Sequence, residues 1–322
     1  MKILVTGCAG FIGFHLAKKF LIKNIKVFGI DNVNNYYDTQ IKKDRLRFLL
    51  LNYKKNFKFY KVDLTKNNLI KKIFKKEKFD IVINLAAQAG VRFSIENPQA
   101  YLESNLIGFF NVLNNSKIFK VKHFLFASSS SVYGDQKKMP IIEEYSITKP
   151  IQFYAATKAA NEIMAHSYSH LFKMKASALR FFTVYGPWGR PDMALFKFTK
   201  NILEKKPIEI FNKGDHERDF TYIDDCVEAV TKIALNKIKR ERFEVFNIAN
   251  GKTEKLKKYI YYIEKELGLT AIKKYLPLQP GDIRKTSANT KKIRKLYNFK
   301  SKTNISEGIK KFIKWYRDYY KV

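Results

Sequence analysis

Short apolar runs alternate with segments of helical period through the first half of the chain. Lys2–Thr6 and residues 26–30, 57–62, 80–86 and 123–128 are rich in Ile, Val, Phe and Leu. Such runs read as strands buried on both faces. Between them, Phe11–Ile22 and residues 67–76 and 98–119 place apolar side chains at helical spacing. Alternation of this kind predicts a Rossmann-like α/β fold with a doubly wound, mostly parallel sheet. A long helix is expected at Phe153–Phe172 and a further strand at 176–182. After Tyr185 the pattern breaks at a Gly- and Pro-rich loop running from Gly186 to Pro191. Beyond it, short strands at 208–211 and 244–248 mix with helices at 224–236, 255–267 and 306–319. That predicts a smaller, mixed α/β lobe closing over the sheet.

The turn after the first strand reads Thr6-Gly7-Cys8-Ala9-Gly10-Phe11-Ile12-Gly13 and opens the first helix. Glycines there permit a tight turn and close backbone approach to a pyrophosphate at a helix N-terminus. Asp31 ends the second strand, where a carboxylate suits an adenosine ribose diol and repels a 2′-phosphate. Asn32 follows with no arginine beside it, which favours NAD over NADP. Asp63 and Leu64, after the third strand, are expected to border the adenine. A glycine pattern alone fits an ordinary strand–helix turn as well; strand, helix and acid in register favour a dinucleotide.

Tyr154-Ala155-Ala156-Thr157-Lys158 puts a phenol and an ammonium on one helix face, one turn apart. A nearby ammonium favours the phenolate, so Tyr154 is expected to act as a base with its pKa depressed by Lys158. Ser128 to Ser131 end the fifth strand, at the edge where such sheets bind ligands. A hydroxyl there can bond a substrate oxygen and relay its proton to Tyr154. Spacing alone leaves open which serine faces the site. A chance pair is also possible among 19 tyrosines. The order glycine turn, serine, tyrosine, lysine argues against chance and points to hydride chemistry.

Length and composition narrow the picture further. The 322 residues, 46% of them hydrophobic, can bury a full core. No apolar run approaches the roughly 18 residues of a membrane span. Cys8 and Cys226 are the only cysteines, which fits a reducing cytoplasm and no disulfide framework. The five histidines show no metal spacing, so no metal is expected. Net charge is +33, but the lysine pairs are scattered and form no block. A solvated lysine coat is favoured over a nucleic-acid or membrane surface, although the charge can attract a polyanionic substrate.

At this point the chain resembles the extended short-chain dehydrogenase/reductases of the nucleotide-sugar epimerase and dehydratase type, over nearly its whole length. The resemblance implies NAD held by Gly7, Gly10, Phe11, Ile12, Gly13, Asp31, Asn32, Asp63, Leu64, Leu85, Ala86, Ala87 and Asn105, with Tyr154 and Lys158. It implies Tyr154 as the base, with Ser129 as hydroxyl partner and Ser131 as the rival. The segments 31–38, 86–92, 180–194 and 218–225 are similar to the UDP-glucuronate 4-epimerases, which interconvert UDP-glucuronate and UDP-galacturonate. Related enzymes are often homodimers packed through two long helices, here 98–119 and Phe153–Phe172. The division expected is an NAD-binding domain at 1–183 and a nucleotide-sugar lobe at 184–322, with some chain crossing between them.

Departures from the pattern sharpen the expected reaction. Dehydratases and decarboxylases of this type carry an acid after the serine stretch; Ser130 and Ser131 stand there instead. Without that acid, oxidation at C4 is followed by return of the hydride. A uronate oxidised at C4 is a β-keto acid, prone to lose CO2 unless its carboxylate is held out of alignment. Thr183 and Arg190 are the candidates for holding it, alongside an ordinary loop cation as the plainer reading of Arg190. Arg218, Gln279 and Asp282 are expected near the UDP moiety, and Arg92 near the sugar or a phosphate. A turn residue and a loop salt bridge remain equally good readings of Asp282 and Arg92. The alternatives are a UDP-glucose or other nucleotide-sugar 4-epimerase, a dehydrogenase releasing NADH, and, remotely, a basic nucleic-acid-binding protein.

Overall fold

The computed structural model describes residues 1–236, 242–279 and 281–322, so Pro280, between Gln279 and Gly281, lies outside the described residues. The strands are β1 Lys2–Thr6, β2 Lys26–Asp31, β3 Phe57–Lys61, β4 Ile81–Asn84, β5 His123–Ser129 and β6 Ala176–Phe181. They continue with β7 Thr183–Tyr185, β8 Ile208–Phe211, β9 Glu217–Tyr222, β10 Phe243–Ile248, β11 Thr253–Lys255 and β12 Lys273–Leu276. Seven of them form one sheet in the order β10-β6-β5-β4-β1-β2-β3, every pairing parallel. This is the expected doubly wound, Rossmann-like sheet, with strand order reversing beside β1.

The apolar runs divide by alternation. Ile3, Val5, Ile83 and Leu125 enter a core cluster with Phe14, Ala17 and Leu21 of the helix Phe11–Ile22. Leu4, Val82, Phe124 and Phe126 point the other way and pack with Phe74, Phe109 and Val112. Successive side chains of a strand point to opposite faces, so one continuous apolar run feeds both layers.

Three features differ from the sequence expectation. The strand near 244–248, assigned above to the lobe, pairs with β6 and extends the main sheet. A helix at Thr39–Asn52, with Asp38 capping through Gln40 N at 2.8 Å, was not expected. Its buried face holds Ile41, Lys42, Arg45, Leu46 and Leu49, and the two buried cations break the apolar period by which a helix is recognised. The segment expected as one helix at 98–119 has a widened π turn at Leu102–Gly108, between Pro98–Tyr101 and Phe109–Ile118.

Beyond the main sheet lie β7, β9 and β11 as one small sheet and β8 with β12 as another. The helix Ile305–Tyr320 closes this part. Its Trp315 and Tyr319 rings lie 5.4 and 5.1 Å from that of Trp188, in the loop after β7. Among the described residues, no helix is long and apolar enough to cross a membrane.

Candidate active site

The groove opens at the C-terminal edge of the parallel strands. Gly7 sits at φ 70°, and a Cβ there meets Ala86 N at 2.8 Å, so only glycine lets the turn lie against the end of β4. A Cβ on Gly13 falls 2.1 Å from the Gly7 carbonyl, so the first helix turn packs directly on the glycine turn. Gly10 caps the helix Phe11–Ile22 with no side-chain bond, and its first turn has no acidic residue. Its leading N–H groups are thus left for an anion.

The acidic end of the groove is tightly braced. Asp31 accepts from Ala9 N at 3.0 Å and Val33 N at 2.8 Å, and burial raises its pKa against those bonds. Asn32 donates to Asp63 at 2.7 Å, and Asp63 also accepts from the Thr65 amide and hydroxyl. Burial pushes the Asp63 carboxyl up, but these bonds outweigh it and hold it below its usual range. Both Asp31 and Asp63 line the groove, with Phe11, Ile12, Asn32, Leu64, Leu85, Ala86 and Ala87. The cradle, free helix end and braced acid fit a dinucleotide.

Asn105 does not line the groove. Its amide oxygen accepts from Gln88 N at 2.8 Å, while its nitrogen donates to Gln88 O and Thr157 Oγ1, each at 3.0 Å. Thr157 donates in turn to the Tyr154 carbonyl at 2.7 Å. These bonds join the loop after β4 to the helix turn that carries Tyr154.

Ser128, Ser129, Tyr154 and Lys158 line the same groove, and Ser131 does not. Instead, the Ser131 amide donates to Ser129 Oγ at 3.2 Å. Ser128 turns inward to Glu162, which pairs with Arg180. The Lys158 ammonium donates to the Ala127 carbonyl at 3.0 Å, and burial lowers its pKa to about 8. Burial raises the Tyr154 phenol; the Ser129 hydroxyl and the Arg190 charge pull it partway back. Burial, Ser129 and Arg190, rather than Lys158, are the leading influences on the phenol. The ammonium is itself desolvated and directed at a carbonyl.

Arg190 reaches the groove from the loop after β7. Asp192 grips it edge-on, with Nε to Oδ1 at 3.0 Å, and accepts from the Tyr36 hydroxyl at 3.3 Å. Thr183 starts β7 and lines a smaller apolar recess that shares Arg190 and Met193 with the groove. Tyr36, Lys42, Gln88 and Met193 also line the groove, unanticipated from sequence. Tyr36, Gln88 and Met193 fall within segments 31–38, 86–92 and 180–194, but nothing local marked them as facing inward.

The other candidates are not among the residues that line the groove. Arg218 on β9 pairs with Asp282 at 3.0 Å, and His216 Nε2 lies 3.2 Å from the same carboxylate. Burial raises Asp282, but His216, Arg218 and the nearby Arg92 outweigh it and hold its carboxyl low. Arg92 stacks over Phe211 at 4.4 Å. Gln279 accepts at its carbonyl from Asp282 N at 3.1 Å and keeps its buried side-chain oxygen without a protein partner.

Residues 3–249 match the model of the NAD dependent epimerase/dehydratase family. Protein CapI of Staphylococcus aureus is 46% identical over 100% of both chains. UDP-glucuronate 4-epimerase of Thermodesulfobacterium geofontis is 40% identical, covering 98% of this chain and 96% of that one. The crystal structure of UDP-glucuronic acid 4-epimerase from Bacillus cereus, in complex with UDP-glucuronic acid and NAD, superposes with a TM-score of 0.93. It is 35% identical and covers 99% of this chain and 100% of that one. The chain belongs to the NAD dependent epimerase/dehydratase family.

Proposed function

We propose that this member of the family is a UDP-glucuronate 4-epimerase, interconverting UDP-glucuronate and UDP-galacturonate with tightly held NAD. One observation carries the reading: Ser129, Tyr154 and Arg190 converge on the groove that begins at the glycine turn. Similarity to UDP-glucuronate 4-epimerases over the full chain supports it.

In this reading Gly7, Gly10 and Gly13 receive the pyrophosphate, and Asp31 and Asn32 the adenosine ribose. Bound there, NAD supplies the hydride acceptor for C4 and the hydride that returns to the opposite face. Ser129 orients the 4-hydroxyl and Tyr154 takes its proton. Lys158 holds the nearby ribose. Tyr154 gives the proton back after the 4-keto sugar has turned over. No acid stands at Ser130 or Ser131 to divert that ketone into elimination. Thr183 and Arg190 keep the uronate carboxylate out of alignment with the carbonyl, which blocks loss of CO2. Arg218, Asp282, Gln279 and Arg92 take the UDP end. Residues 1–183 serve the cofactor and 184–322 the nucleotide sugar, with β10 crossing back.

The protein acts as a cytoplasmic homodimer in this reading. Ile107 and Phe110 on one long helical segment, and Ile163 and Leu171 on the other, are 41 to 64% exposed and apolar. Such neighbouring faces suit a helix-to-helix dimer. Two buried free cysteines suit a reducing compartment.

The test is product analysis after incubation with UDP-glucuronate. UDP-galacturonate should appear without accumulation of free NADH. Stoichiometric NADH would mark a dehydrogenase, and turnover of UDP-glucose alone would mark the neutral-sugar epimerase.

A further inference from the structure

A guanidinium with no exposed surface lies against the glycine turn. Arg45, on the unexpected helix Thr39–Asn52, donates from Nη1 to the Ala9 carbonyl at 2.9 Å and to the Tyr37 hydroxyl at 2.9 Å. Its Nη2 donates to the carbonyls of Trp188 at 2.6 Å and Gly189 at 3.1 Å. Ala9 belongs to the dinucleotide turn; Trp188 and Gly189 immediately precede Arg190. One planar fork therefore spans the cofactor side and the carboxylate side of the groove.

Two observations set this apart from ordinary packing. All four acceptors are neutral oxygens; the Arg45 charge is felt by the buried Asp31 carboxyl, but the fork itself meets only neutral groups, which is costly where an apolar side chain would fill the space. Trp188 also stands at φ 58°, a left-handed conformation unfavourable for a bulky residue. Such outliers persist where surrounding contacts over-determine them. Here those contacts are the Arg45 bond to its carbonyl and the ring packing on Phe14, Trp315 and Tyr319.

We propose that Arg45 is a positioning residue. It holds Trp188 in the left-handed conformation and so sets where Arg190 stands relative to the glycine turn. The inference rests on the reading of Arg190 as the uronate ligand. Lysine keeps the charge but not the fork: its donors radiate from one point and cannot span both loops.

The test compares wild type with Arg45→Lys in the full-length, NAD-loaded protein. Both are made in a Trp315→Phe background, so that Trp188 becomes the sole tryptophan of the original 2. Arg45→Lys should shift Trp188 emission to the red as the loop leaves its packing. It should also raise KM for UDP-glucuronate about tenfold with kcat within about threefold, and release UDP-pentose. Unchanged emission and KM in the folded variant overturn the proposal. So does an activity loss that only tracks the amount of folded protein. Should the lysine variant fail to fold, Arg45→Met fills the space without the buried charge, and the same outcomes decide. A wild type that leaves UDP-glucuronate unconverted sinks the proposed function instead. The Trp188 emission then still decides whether Arg45 holds the loop.

Discussion

The Lys158 ammonium stands 6.0 Å from the centre of the Tyr154 ring and 3.0 Å from the Ala127 carbonyl. The two residues share a helix face, but burial drives their pKa values apart, phenol up and ammonium down. Burial thus favours the protonated phenol, while the lysine stays mostly an ammonium below about pH 8. Ser129 and Arg190 are the groups that pull the phenol back.

Tyr154→Phe should lower kcat about 10³-fold, within the range lost when a general base is removed, with KM nearly unchanged. Wild-type turnover should climb with pH, because the deprotonated phenol is the active form. Ser129→Ala should move that limb to higher pH, since its hydroxyl lowers the Tyr154 pKa. Ser131→Ala should leave the limb in place. A pH–rate profile of the three enzymes decides this; equal limbs for wild type and Ser129→Ala would remove Ser129 from the role.

Lys158 carries a stability cost that can be read against pH. Its folded pKa of about 8 lies below the ordinary 10.5, so between these values the unfolded chain binds more protons. Its contribution makes stability rise with pH across that window, and below about pH 8 the folded state bears the whole penalty. The penalty is roughly 3 kcal/mol, and losing the bond to Ala127 returns about 1 kcal/mol. Lys158→Met should therefore stabilise the cofactor-free protein by about 2 kcal/mol at pH 7, while turnover falls at least 10²-fold. Denaturant unfolding at pH 7 and pH 10 checks the sign: the variant's advantage should shrink at the higher pH.

Arg190→Ala and Thr183→Ala should slow epimerisation and divert part of the flux to UDP-pentose and CO2. Arg190→Ala should do more, because it also leaves Asp192 without its cation. Chromatography of the products settles the matter. Slow but clean epimerisation in both variants would mean that the carboxylate is restrained elsewhere.

Gly13→Ala should be severe. The new methyl falls 2.1 Å from the Gly7 carbonyl, a backbone atom that cannot swing away. A cost of about 3 kcal/mol is expected, together with loss of co-purifying NAD. Thermal unfolding and nucleotide released on denaturation measure the two effects. Wild-type values for both would show that the turn is slacker than its geometry implies.

What could be read along the chain was local. Strands β1 to β6 announced themselves as short apolar runs. The glycine turn and the Tyr154/Lys158 spacing are contained within a few residues, where backbone geometry dictates which groups meet. The missed helix Thr39–Asn52 shows the converse. Lys42 points inward to Asn34 and Arg45 to Trp188, far along the chain, so the apolar period that marks a helix is broken by the residues that matter to the site.

The amino-acid order alone was enough for the fold class, the glycine turn and the shared helix face of Tyr154 and Lys158, because each rests on neighbours one strand step or one helix turn away. Folding decided the rest through distant pairings. It turned Ser129 toward the groove while Ser131 braces it, and placed Asn105 against Thr157, 52 positions on. Arg45 was joined to Trp188 across 143 positions. Hydrogen bonds of that span depend on which loops the sheet brings together, and no local periodicity encodes them.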